Sequence, residues 1–508
     1  MLGSSPSIKR VASESDGLAH ANRQREIKVK RSSFSKLLQV AAAGAMVLGV
    51  SFFGQGTTAV EAQARLTQAV PGTFTSSVVV ANPSSSSASV TMSFVKSDGT
   101  AARDPLTFTV AAGASKLTYV PGVENLPDGR YSVVVDSDQN VVAIANLAST
   151  SPASATSYNG IAEADVGTTF YIPSVYRSYF GYTSSLVVQN AGTATANVSI
   201  SYKNPTGTQV SSETKTIPTN SSYTFDQGAT SAGLTDSYSG SAVITSDQSV
   251  AAIFLISLQP TTTTAQLSSA RGIKTGATTV YMPVIYNKYY NNISSILVQN
   301  VDTANADVLV SYYSQNGTAA GSETATIAAG ASRLFLNFDT SGRTAVVRPA
   351  TDGGNLGFNG SAVVTSTNSK NVVAVANIQN ETVSDLEAYN GFLSTSATTK
   401  TTCPSIFNNY FNNNTSLTIQ NVDTVAANVT LTYTNSATST VEKTVTGITI
   451  QPNATHFRYN PNDDLSANFN GSVTVTSSAA KIVALVNQRT GAANDAGDAL
   501  YTYACANS

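Results

Sequence analysis

One eighteen-residue pattern recurs without a gap, and a chain built on such a pattern must fold as an array. It reads PSVYRSYFGYTSSLVVQN at 173–190, PVIYNKYYNNISSILVQN at 283–300 and PSIFNNYFNNNTSLTIQN at 404–421, with a shortened form, PGTFTSSVVVAN, at 71–82. Each full copy opens on a proline, carries three aromatics at fixed offsets, and closes on an alternating strand ending in Gln-Asn. The aromatics are Tyr176, Tyr179 and Phe180; Tyr286, Tyr289 and Tyr290; and Phe407, Tyr410 and Phe411.

Two further landmarks share the period. Gly129, Gly240, Gly360 and Gly471 each open two apolar runs joined by a short polar turn, which reads as a hairpin. Within them Asn359-Gly360 and Asn470-Gly471 read as turn pairs that tolerate positive φ. SYNGI at 157–161, AYNGF at 388–392 and, more loosely, LYTYA at 500–504 close three of the repeats. Short apolar/polar runs with turn signals every ~8–12 residues and no helical period predict an all-β chain of four antiparallel β-sandwiches. The expected units are 65–166, 167–276, 277–398 and 399–508. Their connectors, 160–169, 272–279 and 391–402, are short and polar, so a semi-rigid rod of roughly 150 Å is expected, at about 40 Å per unit.

The N-terminus reads as a targeting segment. Basic residues crowd 23–36, the apolar run LLQVAAAGAMVLGVSFF follows at 37–53, and a small-x-small triplet ends at Ala64. That order predicts a secretory signal peptide over 1–64, with an uncleaved membrane anchor as the alternative. The protein has 508 residues, of which 11% are charged, with a net charge of −2, so nothing electrostatic argues for nucleic acid. The two cysteines, Cys403 and Cys505, both lie in the last repeat, and in an exported chain an isolated pair predicts a disulfide.

Runs such as SSLVVQNAGTATANVSISYKNPTG and GSAVITSDQSVAAIFLI resemble the immunoglobulin-like sandwich modules of bacterial cell-surface proteins, among them adhesins, stalks, S-layer and sheath components. The resemblance covers 65–508 and is one of strands and turns. It implies a structural or adhesive role outside the cell. Edge strands of such sandwiches can pair with strands of another chain, so self-assembly into a layer, sheath or filament is expected, with other copies or envelope proteins as partners.

The nine aromatics are the candidate contact residues. They suit packing within the array at its joints, contact with another protein, or stacking on sugar rings beside Asn and Ser side chains. Surface glycans are therefore the alternative partner, bound by an array of aromatic loops. Asp136 with Asp138, and Asp463 with Asp464, are carboxylate pairs in turns; no metal and no cofactor is expected. Catalysis finds no GxSxG, no HExxH and no phosphate-cradling glycine loop, and one histidine, His456, beyond residue 64. A non-enzymatic protein is expected, in contact with a membrane only through an uncleaved N-terminus.

Overall fold

Val, Ile, Thr and Tyr fit a pleated surface, and the runs rich in them form strands throughout the unit Gly44–Ser508. The structure is a computed structural model that describes residues 46–54, 62–63, 73–150, 153–258, 265–340, 344–347, 356–383, 385–490 and 498–507. Of the targeting segment, only the backbone strands Met46–Gly54 and Ala62–Gln63 fall within these residues. Met46–Gly54 lies parallel to Arg130–Ser137, at the sheet position that an antiparallel first strand fills in the other repeats.

Repeat 4 shows the plan. Its first sheet runs Thr440–Ile450, Ala427–Asn435, Phe469–Ser477, Lys400–Asn408, Ala506–Asn507; its second runs Thr455–Tyr459, Asn413–Asn421, Ile482–Thr490, Leu500–Ala504. The proline of each full copy sits at a bulge, between Ile172 and Val175, Met282 and Ile285, or Cys403 and Ile406. A missing N–H is tolerated there. The Asn that ends each copy ties the next turn. Asn190, Asn300 and Asn421 each donate from Nδ2 to two carbonyls at 2.7–3.0 Å and accept a backbone N–H on Oδ1.

The glycine landmarks are not hairpins. Leu356–Ser366 pairs with Thr279–Tyr289 and Ala306–Ser314, whereas Val372–Asn380 pairs with Asn292–Asn300 and Leu386–Asn390. The short link therefore carries the chain from one sheet to the other; in repeat 2, Tyr238–Leu258 does so as one continuous strand. Asn359-Gly360 and Asn470-Gly471 lie inside strands rather than in turns. The glycines answer to crowding: a Cβ at Gly240, Gly360 or Gly471 would fall 2.1 Å from the carbonyl oxygen of Lys203, Tyr313 or Thr434. Gly471→Ala should therefore cost on the order of 1–3 kcal/mol, as overpacked sites do. Urea titration reads this directly, and an unchanged midpoint would mean the neighbouring strand gives way.

The four repeats close on themselves instead of forming a rod, in the manner of propeller blades. Ser132, Ser241, Ser361 and Ser472 occupy one position in the four repeats, and all are fully buried. Ser241 Oγ donates to Gly330 O at 3.0 Å, Ser361 Oγ to Asn453 O at 3.0 Å, and Ser472 Oγ to Gly113 O. Ser132 Oγ lies 3.4 Å from Ser222 Oγ. Each repeat thus bonds the next, and the fourth bonds the first. The acceptor turns are equivalent too, with positive φ at Gly113, Asn220, Gly330 and Asn453.

Apolar packing follows the same circuit. Val187 and Ile253 of repeat 2 join the core of repeat 1; Leu297 and Val375 join that of repeat 2; Val483 and Leu485 that of repeat 3; Val79 and Ile144 that of repeat 4. The second sheet of each repeat is therefore buried on both faces. The first sheet keeps a wet face, as the alternating burial of Ala196–Lys203 and Ala427–Asn435 shows.

The last strand of each second sheet lines a common axis: Ala153–Asn159, Gln266–Arg271, Leu386–Asn390 and Leu500–Ala504. Matched positions meet, so the four run in one direction. Asn159 Nδ2 donates to Ala504 O at 2.6 Å and Asn390 Nδ2 to Arg271 O at 2.8 Å. Two residues earlier, Ser269 Oγ donates to Ser157 O at 3.1 Å and Ser157 Oγ to Thr502 O at 3.0 Å.

The disulfide is present. Cys403 and Cys505 are bonded with their Cα atoms 4.4 Å apart. Beside it the first strand of repeat 4 pairs with the chain's end, Thr401 with Asn507 and Thr402 with Ala506.

Candidate functional site

The three aromatics of each full copy form a graded stack from core to solvent. Tyr176, Tyr286 and Phe407 are buried in their own repeats. Tyr179, Tyr289 and Tyr410 are half-buried and stack on them at centroid separations of 5.6, 5.6 and 5.3 Å. Phe180, Tyr290 and Phe411 stand edge-on to these at 4.7, 4.8 and 4.7 Å and project outward, 83%, 63% and 62% exposed. Burial pushes the Tyr176 hydroxyl up to about 12 and the Tyr286 hydroxyl higher still, so both stay neutral. With no rod there are no elbows, and the buried rings serve their own cores.

The tip is a two-residue hairpin turn. Both central residues have positive φ: Phe180 49° and Gly181 86°, Tyr290 47° and Asn291 62°, Phe411 46° and Asn412 62°. That is the mirror-image turn that matches strand twist, and its first position ordinarily takes Asn, Asp or Gly. A bulky ring there is strained by about 1–3 kcal/mol, and such outliers concentrate where a side chain is presented for use.

All three tips share one end of the unit. Tyr182 pairs with Leu258, which pairs with Gln266, the first residue of its axial strand. Asn292 pairs with Asn380, beside Leu386, and Asn413 pairs with Thr490, beside Leu500. Because the axial strands run in one direction, the hairpin tips lie together at the end where those strands begin.

Sequence reasoning missed two features of that end. The first is the cluster of acids near the axis. Glu387, Asp385 and Asp498 are buried. Glu387 Oε1 accepts from Ser157 N at 3.2 Å and Thr502 N at 3.3 Å, while Oε2 accepts from Ala388 N at 3.0 Å and Thr156 Oγ1 at 3.2 Å. Asp498 Oδ2 accepts from Leu267 N at 2.8 Å. Burial raises the carboxyls of Glu387 and Asp498 well above the ordinary range, reinforced by the charge of Asp498 on Glu387 and of Asp385 on Asp498. Burial also raises that of Asp385, against the pull of Arg489. A carboxylate between apolar residues of a strand, Leu386-Glu387-Ala388, was the available signal.

The second is a cavity of about 320 Å³ at the seam between repeats 3 and 4, where Tyr289 and Tyr290 face Phe457 and Tyr459. A broader depression of about 1240 Å³ lies at the opposite end, over Asn159, Arg271, Asn390 and Ala504. Its cations are engaged: Arg271 with Asp165 at 3.1 Å, Lys274 with Ala164 O at 3.1 Å and Lys400 with Pro83 O at 3.3 Å.

The turn carboxylates hold structure. Asp138 Oδ1 accepts from Ser89 N at 2.8 Å. Asp463 is buried and accepts from Tyr433 and Arg458, while Asp464 pairs with Lys443 at 3.3 Å.

No family model and no curated protein matches the chain. Among solved structures, it is similar to a tetra-tandem repeat from the extending region of a large adhesion protein, at 15% identity over 92% of this chain and 100% of that one, with a TM-score of 0.11. It is similar also to Thermotoga maritima 1070, at 17% identity over 21% of this chain and 90% of that one, TM-score 0.17. A third is the serine-rich repeat protein Srr2 of Streptococcus agalactiae, at 10% identity over 51% and 85%, TM-score 0.12.

Proposed function

We propose that this chain works outside the cytoplasm as an adhesive or structural module of the cell surface, a binding protein and not an enzyme. The observation that carries the reading is the set of three strained, solvent-exposed aromatic tips, Phe180, Tyr290 and Phe411, braced by stacked rings and presented at one end of a closed unit. A rigid aromatic loses little side-chain entropy on binding and supplies large contact area, so such tips suit recognition. The disulfide fits an oxidising compartment. Partners are further copies, envelope proteins or surface glycans.

The triple variant F180A/Y290A/F411A removes only exposed rings and leaves the turn backbone as it is, so its melting temperature should match the parent's. Its retention on cells, scored by fractionating envelope from medium, should fall severalfold. Full retention with all three rings gone would sink the reading. A carbohydrate-binding array acting through the same hairpins is the second reading, favoured by the seam cavity beside Tyr290.

A further inference from the structure

We infer that the cavity between repeats 3 and 4 is a subsite for one neutral pyranose unit. This deepens the adhesive reading and rests on it. Two positions distinguish this seam from its sister between repeats 2 and 3. In repeat 2 the hairpin position after the tip is Tyr182, whose hydroxyl donates to Gln266 Oε1 at 3.0 Å and bonds Gln379 of repeat 3. That side chain bridges the seam between repeats 2 and 3. In repeat 3 the same position is Asn292, and the residue matching Gln379 is Arg489; both line the open cavity.

Its size and walls select the ligand. About 320 Å³ is at the small end of the ~300–1,000 Å³ range of ligand sites, which suits a single sugar ring. Tyr290 and Tyr459, 63% and 42% exposed, offer ring surface for the C–H face of a pyranose. Asn292 is locked as wall: its Nδ2 donates to Tyr289 O at 3.0 Å, and its Oδ1 accepts from Asn380 Nδ2 at 3.1 Å.

The polar wall is an ion pair. Asp385 is 1% exposed, and its Oδ2 stands 3.1 Å from Arg489 Nη2; both residues line the cavity. A sugar hydroxyl can donate to the carboxylate while a neighbouring hydroxyl accepts from the guanidinium. A wholly apolar ligand gives this pair no hydrogen bonds, an anion is opposed by Asp385, and a cation by Arg489. A neutral polyol with one apolar face meets all four groups.

The test uses the full chain, made in a host without N-glycosylation because Asn292 lies in an Asn-x-Ser triplet. Saturation-transfer NMR is run against the methyl glycosides of glucose, galactose, mannose and N-acetylglucosamine, and against polymers of each. Wild type should bind at least one, free or polymeric. N292Y and R489Q restore residue types that the sister seam already carries, so both should fold, checked by thermal melting. Each should weaken binding by about tenfold or more. Absence of transfer from every probe to wild type overturns the subsite, and so does binding by N292Y at wild-type strength. Either result is separable from failure of the adhesive reading, which the triple tip variant reads in cell retention rather than in sugar binding.

Discussion

Reducing Cys403–Cys505, or replacing both residues with alanine, is expected to lower the stability of the unit by about 4–5 kcal/mol. The bond closes a loop of 102 residues, and in the chain-entropy picture its loss frees the unfolded chain accordingly. Position adds a second consequence. Three of the four seams join repeats that are consecutive in the chain; the seam between repeats 4 and 1 has no such link. It is held by Ser472 on Gly113, Ser115 on Ser436 at 2.8 Å, and the pairing of Asn159 with Ala504. The disulfide fixes Cys505 immediately after the axial strand that makes this last contact. Reduction should therefore speed amide exchange in Ala153–Asn159 and Leu500–Ala504 before Gln266–Arg271 and Leu386–Asn390. A urea midpoint unmoved by reductant, or exchange that rises equally in all four strands, would contradict this.

The repeat, its strands and the disulfide were legible in sequence because each depends on local pattern or on a count. The two-sheet path of the chain was not. A polar turn between two apolar runs is equally compatible with a hairpin and with a crossover between stacked sheets. Only the partners of each run, which lie far away in sequence, tell them apart. The ring was hidden for a related reason. Ser472 and Gly113 are 359 residues apart, and no local signal records such a contact. One clue was present, however. Ala427–Asn435 alternates as a half-wet strand should, but VVAVAN at 372–377 and IVALVN at 482–487 do not. Unbroken apolar runs require burial on both faces, which an isolated sandwich in a rod does not offer.

The aromatic positions were likewise legible, while their grading was not. Offset alone does not say that Tyr176 is core, Tyr179 a brace and Phe180 a tip; the mirror-image turn decides it. The seam cavity was further from reach, since it depends on Asn292 and Arg489, nearly two hundred residues apart, meeting across two repeats.

Stability of the unit should rise as pH falls from about 8 to about 5, opposite to the usual behaviour of carboxylate-bearing proteins. Glu387, Asp498 and Asp385 have folded pKa values above their unfolded ones, through burial foremost. The folded unit therefore binds protons more tightly than the unfolded chain. Its stability is fully present below the unfolded value near ~4 and is lost as pH rises through the folded values. The exposed carboxylates of Asp98, Asp247, Asp302 and Asp423 are shifted the other way, by hydrogen bonds to the charged form, and their contribution is lost only as pH drops below ~4. The optimum thus falls in mildly acid solution. Glu387→Gln isolates the axial cause: its carbonyl oxygen keeps the bonds from Ser157 and Thr502, its amide gives up the bond from Ala388 N, and it has no charge to bury. The variant should lose much of the rise toward pH 5, read as urea midpoints across the range. A parent that is more stable at pH 8 than at pH 5, or a variant with an unchanged slope, would place the titrating groups elsewhere. The acids sit where Ala153–Asn159, Gln266–Arg271, Leu386–Asn390 and Leu500–Ala504 meet, so their ionisation loosens the one element shared by all four repeats.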